Sequence, residues 1–202
     1  MIRGEYVAFI DDDDYVSQTY LEELLGVSGP ETIGLCNEFC FYDGNKSLNE
    51  DSFSKEYQRR APKGKQRYEG IRRFFSGPCM KLVHREIIGS DRFDTRFTNG
   101  EDSLFMFQIS KNYKYVDFTS PDAVYYRRKR INSAMGRERD AGYMIKNRSR
   151  LIKQYLHLYL SDSSSYSFIF MMTRVLGSAH SILNAIIGVI RGTFTKRPSR
   201  VA

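Results

Sequence analysis

Residues Tyr6-Val7-Ala8-Phe9-Ile10 form a continuous apolar run that empties directly into four aspartates, Asp11-Asp12-Asp13-Asp14. A run with no polar position suits a strand buried on both faces, which places it inside an α/β sheet. Carboxylates at the carboxyl end of such a strand stand at the rim where α/β sheets bind ligands. Like charges this close raise one another's pKa unless a cation neutralises them. Hard oxygen ligands suit Mg²⁺ or Mn²⁺, which in turn bridge to diphosphate oxygens. Taken alone, the run reads equally as a solvated acidic turn whose charge suits the start of the next helix.

The pattern after it alternates helices and strands. Ser17 is an N-cap candidate for a helix over Gln18–Leu25, stopped by Gly26 and Gly29-Pro30. A strand is expected over Thr32–Tyr42, with a turn at Asp43-Gly44-Asn45. Residues 45–68 are polar and weakly patterned and read as a long loop. A short helix over 69–75, a strand over Cys79–His84 and a helical turn over Arg85–Ile88 follow. Gly100-Glu101-Asp102 opens a helix reaching Ile109, and Tyr113–Val116 and Ala123–Tyr126 read as strands. From Asp140 the pattern is helical, broken by the serine-rich Ser161–Ser167 and resumed over Phe168–Ile190. The whole is an α/β fold, a mixed sheet with flanking helices, followed by a helical C-terminal extension.

Charge is segregated along the chain. Residues 127–202 carry 15 Lys/Arg against 3 Asp/Glu, whereas residues 1–126 carry 16 against 21. An acidic front and a basic back point to different partners, a metal at one end and anions at the other. The basic residues follow no nucleic-acid-binding motif, so nucleic acid is not an expected partner. Cys36, Cys40 and Cys79 are too few for a disulfide framework, and His84, His157 and His180 are scattered, so the thiols read as reduced and cytosolic. The opening residues lack the charged and hydrophobic regions of a secretory signal.

Three segments carry a family resemblance. Gly4-Glu5-Tyr6, the apolar run, Asp11–Asp14, Tyr15 and the helix beginning near Tyr20-Leu21 resemble the DXD region of family 2 glycosyltransferases of GT-A fold. In that register Asp11 and Asp12 belong to the sugar-nucleotide side and Asp13 reaches the metal, Mn²⁺ or Mg²⁺. A one-step shift to Asp12 and Asp14 fits the four identical residues as well. Arg92-Phe93-Asp94 followed by Gly100-Glu101-Asp102-Ser103-Leu104-Phe105 resembles the family's second acidic segment. The resemblance makes Asp102 the general base that takes the acceptor hydroxyl's proton in an inverting transfer, with Glu101 orienting the site or the acceptor. Without it, the acidic pair is a helix-stabilising first turn. Val124-Tyr125-Tyr126-Arg127-Arg128-Lys129-Arg130 resembles the segment after the last core strand, where Arg127 and Arg130 are candidates for the donor diphosphate. Met80-Lys81-Leu82-Val83 resembles a Lys-Leu strand of the family.

The resemblance spans roughly residues 4–135, which divides the chain into the later part of a GT-A domain (1–135) and a helical extension (136–202). A full domain of the family opens with a strand, helix and strand that hold the base and ribose, and these have no counterpart here, so the expected GT-A sheet is incomplete. No Trp is present, so the Gln-x-x-Arg-Trp motif of processive synthases is missing and single-sugar transfer is expected. The expectation is a cytoplasmic enzyme of cell-surface polysaccharide synthesis, using a UDP-linked donor and a glycan or lipid-linked acceptor. Its alternative is an inactive remnant that binds glycan or membrane. In the 168–190 helix, positions 174, 177, 178, 181, 184, 188 and 191 put polar or small residues on one face, ahead of the basic Lys196-Arg197-Pro198-Ser199-Arg200. Through residues 168–200 that helix suits the inner face of a cell membrane. Packing on protein, or spanning the bilayer against the cost of Arg174, His180 and Asn184, are its other readings.

Overall fold

The computed structural model describes residues 3–42, 45–129 and 140–192. Fifteen named elements follow one another: β1 (Tyr6–Ala8), β2 (Tyr15–Val16), α1 (Tyr20–Val27), β3 (Thr32–Leu35), β4 (Asn37–Tyr42), β5 (Asn45–Asn49), α2 (Ser52–Arg60), β6 (Gln66–Arg67), β7 (Lys81–His84), α3 (Arg85–Ile88), α4 (Glu101–Gln108), β8 (Tyr115–Phe118), β9 (Val124–Lys129), α5 (Ala141–Ser161) and α6 (Phe168–Ile190). They form a mixed α/β fold with two mixed sheets, one ordered β1-β7-β3-β8-β6 and the other β2-β9-β4-β5.

The two sheets are threaded by the same stretches of chain. The apolar run expected as one strand over Thr32–Tyr42 breaks at Cys36, whose N–H donates to the Met80 carbonyl at 3.2 Å. β3 therefore lies in the first sheet and β4 in the second. β8 and β9 make the same passage beside them, and both pairs, β3 with β8 and β4 with β9, are parallel. A hydrophobic run records burial but not a change of sheet, so the break is invisible to pattern.

Other expectations need correction. Ser17 does not cap α1; its hydroxyl accepts the Val124 N–H at 3.0 Å and ties the aspartate loop to β9. Gly26 does not end α1, which runs on to Val27. Residues 45–68 are not one long loop, since they hold β5, α2, a 3-10 turn and β6. α2 is short and polar, and its start is fixed by Asp51, whose carboxylate accepts from Phe53 N–H at 2.7 Å while Ser54 Oγ accepts from Asp51 N–H at 3.3 Å. Such a reciprocal cap satisfies helix-end donors that a weak apolar pattern leaves unannounced. Residues 68–76 are two 3-10 segments in place of a helix. Asp43 and Gly44 of the expected turn lie outside the described residues.

One aromatic core joins the sheets to the C-terminal helices. Phe75 stacks on Tyr113 at 5.6 Å, and Phe107 stacks on Tyr166 at 5.1 Å and meets Phe170 at 5.7 Å. Leu151, Tyr155, Phe170 and Met171 belong to the same buried cluster as Leu35, Val83 and Phe105. Each fully buried aromatic adds about 1.5–3 kcal/mol to stability. α5 and α6 pack along one another as a helical hairpin.

Beyond Phe170 and Met171 of its first turn, α6 buries a polar and small face, from which Asn184 of the expected stripe is left exposed. Arg174 is buried and donates to the carbonyls of Phe75 at 2.6 Å and Arg72 at 3.3 Å. Ser178, Ala185 and Gly188 are buried on the same side, and a Cβ at Gly177 would stand 3.0 Å from the Arg72 guanidinium.

Candidate active site

The aspartate loop is set by its neighbours in both sheets. β1 pairs antiparallel with β7, Ala8 opposite Leu82, so the chain leaves β1 toward Asp11 beside the residues that lead into β7. Asp14 N–H closes the turn on the Asp11 carbonyl at 3.1 Å. The buried Tyr125 hydroxyl of β9 accepts the Asp11 N–H at 3.1 Å and donates to the Asp14 carboxylate at 2.6 Å. Arg128 N–H donates to the other Asp14 oxygen at 2.7 Å. Burial raises the Asp14 carboxyl, helped by the charges of Asp11 and Asp13, while these two hydrogen bonds draw it down. Both Asp14 oxygens are thus engaged in holding the loop. Asp11 and Asp12 are exposed and Asp13 is half-buried.

The second acidic segment comes to the same end of the sheet. Phe9, two residues before Asp11, makes edge contacts at 6.0 Å with both Phe93 and Phe105, and Phe93 stacks on Phe105 at 4.2 Å. Phe105 lies one turn beyond Asp102 on α4, so this apolar triad fixes α4 against the strand that delivers the aspartates. Gly100 begins α4 in the left-handed region at φ 89°, which favours glycine. From the other side α5 secures the segment through Asn147, whose amide donates to the Asn99 carbonyl at 2.7 Å, and through Tyr155 and Ser103, whose hydroxyls lie 2.9 Å apart.

Asp102 is half-buried where these pieces meet. Burial, with the charges of Glu101 and Asp11, pushes its carboxyl up to about 6, against the opposing pull of Lys81. The start of α4 favours negative charge, but desolvation outweighs it here. A Cβ at Gly77 would stand 3.8 Å from Asp102 Oδ2, so the loop before β7 walls the carboxylate. One Glu101 oxygen is buried with no hydrogen-bond partner among the described residues.

Lys81 sits beneath the site, wholly buried, donating to the carbonyls of Gly77 at 2.7 Å and Cys79 at 2.8 Å. Burial pushes its amine down to about 8. Met80, between Cys79 and Lys81, adopts φ 58°. A buried side chain other than glycine in the left-handed region costs on the order of 1–3 kcal/mol and commonly marks a functional site. Burial pushes the Cys79 thiol, which borders the Tyr125 hydroxyl and Asp11, up to about 11, so it stays protonated.

The basic segment reaches the site at its first member. Arg127 Nη2 pairs with the fully buried Glu38 carboxylate at 2.8 Å and lies over the Phe53 ring. Burial pushes Glu38 up to about 8 even against that guanidinium. Arg130 lies outside the described residues, as do residues 131–139. Glu38 and Tyr125 were given no role by sequence reasoning. Glu38 is the one charge within the strand-like Leu35–Phe41 run, a position that demands a partner.

Two groups offer candidate metal ligands. Glu38, Cys40 and Asp51 bring ligand atoms within 4.8 Å of one another. That cluster is already answered by Arg127, by Lys129 at 3.7 Å from Asp51 and by the α2 cap. The aspartate loop is not a closed cage, and it offers exposed carboxylate oxygens at the sheet rim. This donor set suits Mg²⁺ or Mn²⁺, which take one or two protein carboxylates and complete their shell with phosphate and water.

Comparison with known proteins adds a direction. No protein-family model matches the chain. It is 32% identical over 133 residues to the provisionally named glycosyltransferase EpsH of Bacillus subtilis (strain 168), a match covering 62% of this chain. The chain spans 38% of that relative's length.

Proposed function

We propose that this chain transfers a sugar from a nucleotide-sugar donor to an acceptor hydroxyl, and that it is the later part of a family 2, GT-A-type catalytic domain. The observation that carries the reading is the meeting of two acidic segments, some ninety residues apart in sequence, at one end of the sheet: Asp102 lies close enough to Asp11 for its charge to be felt. The similarity to EpsH supports glycosyl transfer; a role in polysaccharide synthesis belongs to the same proposal. A donor and an acceptor follow from transfer itself; a UDP-linked donor and a glycan or lipid-linked acceptor are the finer reading.

Asp13 would hold the divalent cation, which supplies charge neutralisation for the diphosphate. Tyr125 and Asp14 keep the loop in place, so that Asp11 and Asp12 face the donor. Asp102, deprotonated above about pH 6, accepts the acceptor hydroxyl's proton as that oxygen attacks the anomeric carbon from the face opposite the leaving diphosphate, which inverts the centre. Glu101, next to Asp102 at the start of α4, would orient the site or the acceptor. Arg127 adds positive charge on the nucleotide side while anchored to Glu38.

Isothermal titration of the chain with UDP in Mn²⁺ tests the donor side, beside Asp13→Ala and Asp102→Asn. Metal-dependent binding that Asp13→Ala abolishes and Asp102→Asn retains is expected. Binding that survives Asp13→Ala overturns the metal assignment. No binding by any of the three supports the inactive remnant.

A further inference from the structure

α6 is turned the wrong way round for a helix in water. Its polar and small face is held inward by the Arg174 hydrogen bonds and by the contact of Gly177 with Arg72. Its outer face is largely apolar, interrupted by the exposed and mutually hydrogen-bonded His180 and Asn184: Ile169, Leu176, Leu183 and Ile190 recur every seven residues and are 63%, 60%, 53% and 78% exposed. Ile186 is exposed alongside them, and Met172 and Ile187 are partly so. At 1.5 Å per residue the stripe runs about 30 Å. Exposed Leu156 and Leu160 of α5 and Phe168 of α6 widen the patch beyond one helix at the hairpin's turn. The helix cannot roll to hide this face without tearing Arg174 from its two carbonyls, and a patch of this kind marks an interaction surface.

Charge selects the occupant. Neither helix contains an Asp or Glu, and α5 presents exposed Lys146 and Lys153, while Arg150 lies over the Phe97 ring. Arg191 follows α6, and Lys196, Arg197 and Arg200 follow in sequence. A second copy seated on the stripe would bring two cationic hairpins together, which charge opposes. α6 is long and apolar enough to cross a bilayer by length and composition. Crossing would carry the cations of α5, packed along its length, into hydrocarbon. A helix with an apolar stripe outward and cations beside it fits the interface of an anionic leaflet, lying in its plane.

We infer that the α5–α6 hairpin is a membrane-docking surface that seats the exposed stripe of α6 in the headgroup region of an anionic lipid leaflet. This rests on the orientation of α6 and the charge of the hairpin, independently of sugar transfer.

Co-sedimentation of the full chain with vesicles tests it, using phosphatidylglycerol–phosphatidylcholine mixtures against phosphatidylcholine alone. Two variants accompany the native chain: Leu176→Gln/Leu183→Gln/Ile190→Gln on the stripe and Lys146→Glu/Lys153→Glu on α5. All five positions are exposed, so both variants fold, and circular dichroism checks that they do. Binding to the anionic vesicles is expected, with a loss of about tenfold or more in each variant and weaker binding to the neutral lipid. No binding to either vesicle overturns the inference. Equal binding by the charge variant overturns the choice of an anionic leaflet. A dimer in light scattering that the stripe variant dissociates, without vesicle binding, assigns the face to a second copy instead.

Discussion

Asp102→Asn should stabilise the folded chain at neutral pH. The carboxyl stands at about 6, raised from its ordinary 3.8 by burial, Glu101 and Asp11. A rise of about two pH units corresponds to about 3 kcal/mol between the two protonation states, and the part-exposed setting brings this to roughly 2–3 kcal/mol. Between about pH 4 and 6 the folded state keeps a proton that the unfolded chain has released, so this group's stabilising effect falls as pH rises through that window. Above it the cost of the buried charge is complete and constant. Asparagine keeps the shape without the charge, so its advantage over the native residue is full at pH 8, about half by pH 5 and small by pH 4. For a chain of this length that is about 4–12 °C in melting temperature at pH 8. Thermal and urea unfolding at pH 5 and 8, native against variant, make the comparison. A variant no more stable at pH 8, or one whose advantage is the same at both pH values, refutes the electrostatic account of the site.

Transfer activity should rise with pH through about 6 and level off above it, as Asp102 loses its proton; a rate already level at pH 5 would remove Asp102 from the role of base. Tyr125→Phe deletes the hydroxyl that holds both Asp11 and Asp14, so unfolding in urea should show a loss of about 1–3 kcal/mol, with weaker Mn²⁺–UDP binding in titration. Gly100→Ala combines a left-handed position with a Cβ 2.6 Å from Leu151 Cδ1, and about 2–4 kcal/mol of stability should be lost in the same assay. Arg174→Met leaves the Phe75 and Arg72 carbonyls without their donor, for an expected cost of about 2–3 kcal/mol.

Local chemistry made some of this legible. Phe168–Ile190 is helical over the range its sequence suggests, because a long apolar run with a serine start and few breakers leaves little alternative. Gly100 and the acidic pair after it announce α4 in the same way. What failed depended on distant partners. Ser17 looks like a cap but serves Val124, over a hundred residues away. α2 has too few apolar positions to signal itself and survives because Ser54 and Tyr57 are buried under β4 and the Thr119 carbonyl. The passage of Thr32–Tyr42 between sheets needs β8 and β9 beside it, and no local pattern carries that.

The α6 helix and the aspartate loop share one logic. In each, a polar group serves the fold where its residue type suggested exposure, and the group left exposed becomes the informative one. Arg174 and Ser178 satisfy the interior, so the apolar stripe of α6 must find its cover elsewhere. Asp14 is taken by Tyr125 and Arg128, which counts against the register that would use Asp12 and Asp14. Four identical residues cannot distinguish those registers by sequence. The difference lies in which carboxylate the Tyr125 hydroxyl reaches, a contact across 111 residues of chain. An Asp14→Asn variant should therefore weaken Mn²⁺–UDP binding only as far as it loosens the loop, and its melting temperature should fall with the affinity. Asp13→Ala should abolish binding, a loss of affinity out of proportion to any fall in its melting temperature. If the two variants exchange these behaviours in paired titration and thermal unfolding, the register is the shifted one.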